Sequence, residues 1–304
     1  MKKWLGSLVT VNLILGAVVG TQLQAGIWDT VKSAFISPEK PQSPKIKILI
    51  AHNLPSANIE VNGKYDIYDP YKNVRLSARF TGKRQKIEAL STGLRWGEEF
   101  PGVYQIEIVP DNESIAVKID GKEYSGIIYV YDIGGSISIV NEVDIEHYLS
   151  ATLPEQLSSD LSDEALSAAV IATRTNAYYK ATAATNPYWH LNAEQVGYQG
   201  RKKNPAPDAL AVHDAIASTR FMVLSETGAY EGVLTPFPIN LVAEAETPSA
   251  HKGSYTISVD KLQSSAEKGD NAAQILSKTF PQAKIELNHK PDAVHALPQT
   301  RSPR

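Results

Sequence analysis

The alternation of apolar and polar positions changes along the chain. Between residues 45 and 141 apolar residues recur with a period of two, and many are β-branched, which is typical of half-buried strands. Short strands are predicted at 45–50, 59–61, 65–68, 103–108, 115–119, 127–131 and 136–140. Asp120-Gly121 and Gly134-Gly135 predict turns, and Asn62-Gly63 predicts a hairpin between its flanking strands.

Helical periodicity replaces this pattern after residue 141. Asp144–Ala151 is a short predicted helix, and Asp163–Ala183 is the strongest helix signal in the chain. Ser162 can cap the long helix, and acidic residues follow it where the helix dipole favours them. One face of this helix is expected to carry Leu166, Ala169, Val170, Thr173 and Ala177.

The C-terminal part mixes both periodicities. A helix is predicted over Ala209–Thr219, a strand over Phe221–Leu224, and two further helices over Val259–Glu267 and Asn271–Thr279. The predicted fold class is therefore α+β, in which a β-rich N-terminal part (about 45–141) packs with a helical centre and a mixed C-terminal part.

The two ends of the chain do not follow these patterns. Lys2 and Lys3 precede an apolar run, and small residues follow near Ala25, which is the pattern of a secretory signal. We expect residues 1–25 to be a cleaved signal peptide, with an uncleaved N-terminal anchor as the alternative. Residues 26–44 are interpreted as a proline-rich linker, 45–287 as the folded domain and 288–304 as a disordered tail.

Composition removes several classes of function. The net charge is −3 and no basic face of the kind that binds nucleic acid is apparent, so nucleic acid is not an expected partner. The chain has no cysteine, which excludes a lipoprotein anchor, disulfides, a cysteine nucleophile and thiolate metal sites. The seven histidines are scattered without metal-ligand spacing, so neither a metal nor another cofactor is inferred.

Two blocks in the helical centre resemble a known family. Residues 139–149 read IVNEVDIEHYL and residues 164–175 read EALSAAVIATRT. Both resemble blocks of the SpoIID/LytB (stage II sporulation protein D, amidase-enhancer) family, at the family's own spacing. Weaker similarities continue in order across roughly 45–287, whereas two later histidine- and glycine-containing blocks of the family are not recognisable.

The resemblance implies a protein that acts on peptidoglycan. Some members are lytic transglycosylases that cleave glycan strands stripped of stem peptides, and others bind the wall and stimulate amidases. The implied location is outside the cytoplasm, in the periplasm or cell envelope. The implied partners are peptidoglycan glycan strands, with a cell-wall amidase or division proteins as further candidates.

The candidate catalytic residue lies between the two blocks. In the family a catalytic glutamate stands at the position that Gln156 occupies here, and Glu155 is its neighbour. A glutamine cannot transfer a proton, so Glu155 is the candidate acid, and Leu153 and Leu157 could supply the apolar surroundings that such an acid requires. The alternative is a solvated loop glutamate.

Further site residues follow from the same region. Gln156, Arg174, Trp189 and Tyr198 are candidate substrate-binding residues, the aromatic pair as stacking surfaces for sugar rings. Glu142 and Glu164 are candidate structural or orienting residues, Glu142 as a possible partner of Arg174. Three hypotheses stay open: a lytic transglycosylase, a non-catalytic peptidoglycan binder that recruits an amidase, and a scaffold at the division site.

Overall fold

A computed structural model describes residues 44–79, 81–82, 84–158, 160–201, 209–227, 233–243 and 255–288. Apart from residues 44 and 288, the predicted signal segment, linker and tail lie outside these residues. The α+β class is confirmed, because the described residues form several sheets and six α-helices. None of these helices is both long and apolar enough to cross a membrane.

The larger sheet has seven strands and is antiparallel except at one edge. Its strands, in spatial order, are β13 (Leu191–Asn192), β1 (Lys45–Leu54), β12 (Ser136–Asp144), β11 (Ile127–Ile133), β8 (Gln105–Pro110), β3 (Tyr65–Asp69) and β4 (Val74–Arg79). Gly134 and Gly135 join β11 to β12 with φ of 66° and 85°, the conformation of a tight hairpin turn. The turn predicted there is confirmed.

The second sheet has six antiparallel strands. In spatial order they are β10 (Lys122–Tyr124), β9 (Val117–Ile119), β2 (Ser56–Val61), β5 (Gln85–Leu90), β6 (Gly93–Trp96) and β7 (Glu98–Pro101). The hairpin predicted at Asn62-Gly63 is wrong, because β2 and β3 belong to different sheets. Neither residue has the positive φ of a two-residue hairpin turn, so the chain crosses between sheets here.

Strand β11 of the larger sheet presents alternate residues to two different environments. Ile128 and Val130 of β11 enter the main core, which also receives residues of the second sheet and of the long helix. Tyr129 and Tyr131 point the other way and form a second, smaller cluster with Leu49 and Val140. We call the side that bears this smaller cluster the outer face of the seven-stranded sheet.

The helical centre follows β12 directly. Helix α1 (Ile145–Thr152) leads through a 3₁₀ turn (Leu153–Glu155) towards helix α2 (Asp163–Ala183), whose predicted bounds are confirmed. The Ser162 hydroxyl accepts a hydrogen bond from the Ala165 amide at 3.4 Å, as expected for an N-cap. The expected single apolar face is too narrow a description, because α2 is also buried at Ala165, Ala168, Ile171, Ala172, Arg174 and Thr175.

The remaining elements are α3 (Ala193–Val196), α4 (Leu210–Ser218), β14 (Met222–Glu226), β15 (Ile239–Val242), β16 (Tyr255–Ser258), α5 (Val259–Glu267), α6 (Ala272–Thr279) and β17 (Ala283–Leu287). Helices α4, α5 and α6 and strands β14 and β15 pack against α2. Strands β14 and β17 form one antiparallel pair, and β15 and β16 form one parallel pair. Small alanine side chains along α2 allow these neighbours to approach it closely.

Candidate functional site

The turn between α1 and α2 is held in place by two leucines. Leu153 is fully buried and Leu157 is 5% exposed, and the Leu157 amide donates to the Leu153 carbonyl at 2.9 Å. Pro154 has no amide hydrogen to continue the helical ladder, which favours the tighter 3₁₀ turn at this point. The sequence therefore builds an anchored turn rather than a loose loop.

Glu155 and Gln156 lie on the exposed side of this turn. The Gln156 amide nitrogen donates to the Val196 carbonyl at 3.3 Å, which links the turn to the end of α3. The two leucines were expected to enclose Glu155, but they point into the core and leave the glutamate exposed. A carboxylate so placed can meet a large ligand from solution, while apolar enclosure would have to come from that ligand.

Arg174 occupies a buried position on α2, with 2% of its surface exposed. Its guanidinium forms a bidentate ion pair with Glu146, with nitrogen to oxygen distances of 2.8 and 2.9 Å. Its remaining donors contact the Thr219 hydroxyl at 3.2 Å, the Met222 carbonyl at 3.3 Å and the Ile216 carbonyl at 3.2 Å.

This network corrects the expected pairing of Arg174 with Glu142. A guanidinium has five N–H donors, and the five contacts use all of them within the protein. Arg174 therefore joins α1, α2, α4 and β14 and has no donor left to orient a substrate. Glu146 was missed because its position in the first turn of α1 indicates only a partner for the helix dipole.

Tyr198 lies in the main core with 6% of its surface exposed. Its hydroxyl donates to the Asn141 side-chain oxygen at 2.6 Å, and its ring lies 6.2 Å from the rings of both Tyr124 and Tyr148. Asn141 in turn donates to the Ser125 carbonyl at 2.8 Å. Burial raises the pKa of Tyr198, so its hydroxyl stays protonated as the donor in this contact. This position favours a structural role over sugar stacking.

The two candidate orienting glutamates make different contacts. Glu164 accepts a hydrogen bond from the Ala272 amide at 2.6 Å, so its charge lies at the N-terminus of α6 rather than serving α2 alone. Glu142 lies on the outer face, where its carboxylate oxygens are 3.4 Å from the Lys45 ammonium and 3.8 Å from that of Lys47.

Trp189 also belongs to the outer face. Its ring packs on the smaller cluster and lies 5.7 Å from the His52 ring in an edge contact. The Asn186 side-chain oxygen accepts from the amides of Tyr188 and Trp189 at 2.8 and 3.3 Å, which fixes the loop that carries both rings. The candidate site residues are thus distributed between the anchored turn, the main core and the outer face.

A group of titratable side chains on the outer face was not anticipated. The Tyr129 hydroxyl lies 3.2 Å from Glu107 and 3.3 Å from Glu142, although one hydroxyl can donate only one proton. Burial, with a contribution from the charge of Glu142, raises the pKa of Glu107. The signal in the sequence was strand parity, because Glu107, Tyr129 and Glu142 all occupy outward positions of neighbouring strands.

Within the described residues, no group of three or more histidine, aspartate or glutamate side chains is arranged to hold a metal ion. Proton transfer, ion pairing, hydrogen bonding and aromatic stacking are the chemistry that the side chains themselves offer.

A comparison with known families finds a match over the helical centre. The family described as SpoIID, stage II sporulation protein, matches residues 134–225, which run from the β11–β12 turn through α2 to β14. An uncharacterized protein of Chlamydia pneumoniae is 32% identical over 88% of this chain and 91% of its own length. An uncharacterized protein of Chlamydia muridarum is 29% identical over 93% of this chain and 90% of its own length.

A more distant relative extends the comparison. An uncharacterized protein of Brachyspira hyodysenteriae is 27% identical over 63% of this chain and 50% of its own length. The family match covers the anchored turn and the Arg174 network, and it indicates a function related to the cell wall. The chain belongs to the SpoIID family, as a divergent member.

Proposed function

We propose that this protein is exported to the cell envelope, where it binds the glycan strands of peptidoglycan. The observation that carries the proposal is the anchored turn, which exposes Glu155 and Gln156 within the SpoIID match. Because Leu153 and Leu157 fix the backbone of the turn, the backbone needs little ordering on binding. Gln156 can donate to and accept from sugar hydroxyl and acetamido groups.

A sedimentation assay tests this binding. The full chain is mixed with insoluble sacculi, and we expect it to pellet with them and to be released when soluble glycan strands are added. A Glu155→Ala/Gln156→Ala variant should pellet several-fold less, and Glu194→Gln, at an exposed glutamate on neighbouring α3, serves as the matched control. Failure of the wild-type chain to pellet would overturn the proposal.

Strand cleavage is the second candidate function, because Glu155 places an accessible carboxylate beside the position of the family's catalytic acid. In such a reaction the acid protonates the glycosidic oxygen as the C1–O bond breaks. The sugar's own C6 hydroxyl then attacks C1 and closes a 1,6-anhydro ring, while the carboxylate accepts the hydroxyl proton. One carboxyl group thus returns to its starting state without consuming water.

Mass spectrometry separates cleavage from binding alone. Wild-type protein is incubated with peptide-free glycan strands, and cleavage predicts new 1,6-anhydro ends that disappear in Glu155→Gln. The Gln156→Glu variant places a carboxylate at the family's acid position, and we expect it to cleave faster than wild type. Anhydro ends that persist in Glu155→Gln would remove Glu155 from the reaction, whereas their absence from every variant would leave the protein as a binder that recruits an amidase.

A further inference from the structure

A cleft of about 340 Å³ opens on the outer face of the seven-stranded sheet, and no residue of the anchored turn lines it. Its walls come from the turn after β3, the segment that leads into β8, the end of β11 and the loop before β13. Four tyrosines from these four segments line it, namely Tyr71, Tyr104, Tyr131 and Tyr188.

Three of these tyrosines are more exposed than tyrosines that pack in a core. Tyr71 is 83% exposed, Tyr104 is 51% exposed and Tyr188 is 41% exposed. They are three of the eight large hydrophobic side chains exposed among the described residues, and all three line the same cleft. Single exposed aromatic residues are common on protein surfaces, whereas several that converge on one concave site are typical of a binding surface.

The backbone that carries the rings is held by hydrogen bonds. Asp69 is buried, and its side-chain oxygen accepts from the amides of Tyr71 and Lys72 at 2.9 and 3.2 Å. The Asp132 amide donates to the Tyr104 carbonyl at 2.8 Å. The cleft is therefore organised before any ligand arrives, which lowers the entropic cost of binding.

Two of the lining rings contact each other. Tyr188 meets Tyr131 edge-on with 4.9 Å between ring centroids, and Tyr131 stacks on Tyr129 at 6.0 Å with an interplanar angle of 2°. Tyr131 is 6% exposed and forms the floor, while the three exposed tyrosines form the rim.

The chemistry of the lining selects a class of ligand. Tyrosine faces are electron-rich and attract the weakly positive C–H groups on the flat side of a sugar ring. Gln105, Lys72 and Asp132 add hydrogen-bonding groups at the edges, where sugar hydroxyl and acetamido groups project. Two aspartates against one lysine disfavour a polyanion, and the polar rim disfavours a purely apolar ligand.

We propose that this cleft is a second carbohydrate-binding site, which takes a short stretch of N-acetylated glycan on the outer face of the sheet. The cleft volume lies at the low end of the range for ligand sites, which suits a few sugar rings rather than a long strand. The choice of an N-acetylated glycan rests on the proposed function. The inference that the cleft binds a carbohydrate rests only on the residues that line it.

Isothermal titration calorimetry of the full chain with the β-1,4-linked tetramer of N-acetylglucosamine tests the proposal. We expect saturable binding that weakens roughly five- to tenfold in Tyr71→Ala and in Tyr104→Ala, since each loses one aromatic contact. The double variant should show no measurable binding. Tyr255→Ala is the matched control, because Tyr255 is 37% exposed and lies on β16, outside the cleft.

We expect both tyrosine variants to fold as the wild type does. Tyr71 and Tyr104 are so exposed that their removal should leave the thermal unfolding midpoint within a few degrees of the wild type. The proposal is overturned if the wild-type chain does not bind the tetramer at millimolar concentrations, or if both tyrosine variants bind as the wild type does.

The two proposals fail separately. If the chain pellets with sacculi and both tyrosine variants pellet equally well while binding the tetramer like the wild type, the cleft proposal is wrong and the proposed function stands. If the tetramer binds through the tyrosines but the wild-type chain does not pellet, the cleft proposal stands and the proposed function is wrong.

Discussion

Neighbouring side chains on β11 lie in two different environments. Ile128 and Val130 enter a core of aliphatic residues, whereas Tyr129 and Tyr131 lie on the outer face, where Tyr129 contacts Glu107. The inner side excludes water, and its buried polar side chains Arg174 and Asn141 are hydrogen-bonded within the protein. The outer side keeps titratable groups half-buried and places tyrosines around an open cleft, which stability alone does not require.

The difference indicates a division of roles between the two sides of the sheet. Polar groups inside, such as Arg174 and Asn141, use their donors within the protein and stabilise the fold. On the outer face, the exposed tyrosines and the polar side chains of the cleft are accessible to a ligand. Variants on the two sides should therefore differ in stability and in binding.

The largest effect is expected for Arg174→Ala. Removal of the guanidinium leaves the Glu146 carboxylate, only 13% exposed, without its ion pair, so the free energy of unfolding should fall by about 3–5 kcal/mol. Urea denaturation measures this change. Arg95→Ala is the control, because Arg95 is 46% exposed and its partner Glu88 keeps a second ion pair with Lys86, so a much smaller change is expected. Equal effects at the two arginines would contradict the structural role of the buried network.

The two sides can be compared directly at adjacent residues of β11. Ile128→Ala removes a fully buried side chain from the main core and should lower the free energy of unfolding by about 2–4 kcal/mol. Ile127→Ala makes the same chemical change on the outer face and should cost about 1 kcal/mol or less. Similar urea midpoints for both variants would show that the two faces are equally important for folding.

A smaller effect is expected for Tyr198→Phe. The substitution keeps the ring contacts with Tyr124 and Tyr148 but removes the donor to buried Asn141, so the loss should be about 1–2 kcal/mol. Thermal unfolding measures it, and sedimentation with sacculi should be unchanged once the protein is folded. A folded variant that no longer pellets would return Tyr198 to the substrate-binding residues.

The smallest effect concerns the pH dependence of stability on the outer face. Because burial raises the pKa of Glu107 above its unfolded value, this group stabilises the fold fully below the unfolded pKa, near 4.3. That contribution is lost as the pH rises through the folded pKa. Glu107→Gln should therefore be more stable than wild type at pH 7, by less than about 1 kcal/mol, and the difference should vanish towards pH 4.

Urea midpoints at pH 4 and pH 7 check this prediction. The control is Glu99→Gln at an exposed glutamate, whose midpoint should follow that of the wild type at both pH values. If Glu107→Gln is less stable than wild type at pH 7, the folded state favours the ionised form of Glu107, and the prediction is wrong.

Long periodic elements could be predicted from the sequence. The bounds of α2 and α5 follow from capping residues and helical periodicity, and the Gly134-Gly135 turn follows from residues that adopt positive φ. Strands β4 to β7 were missed, since they are short and carry charges on several exposed positions. The Asn62-Gly63 hairpin failed because local turn preference does not report which sheet a strand joins.

The site could be predicted only in part. The joining turn with Glu155 and Gln156 follows from the family resemblance and lies inside the SpoIID match. The partner of Arg174 could not be chosen from sequence, because Glu142 and Glu146 lie at similar separations from it along the chain, and only the packing of α1 on α2 selects Glu146. The tyrosine cleft was not anticipated, since its residues come from four separate segments.

By itself, the sequence determined the α+β class, the long helix and the membership of a cell-wall-related family, because these depend on local periodicity and on contiguous motifs. The tertiary structure alone decided which polar side chains are hydrogen-bonded inside the protein and which face solvent. Burial and hydrogen-bond partners depend on residues far apart in the chain, as in the contact between Asn141 and Tyr198. For that reason the family likeness could locate the turn, whereas the outer face with its cleft emerged only from the packing of the sheet.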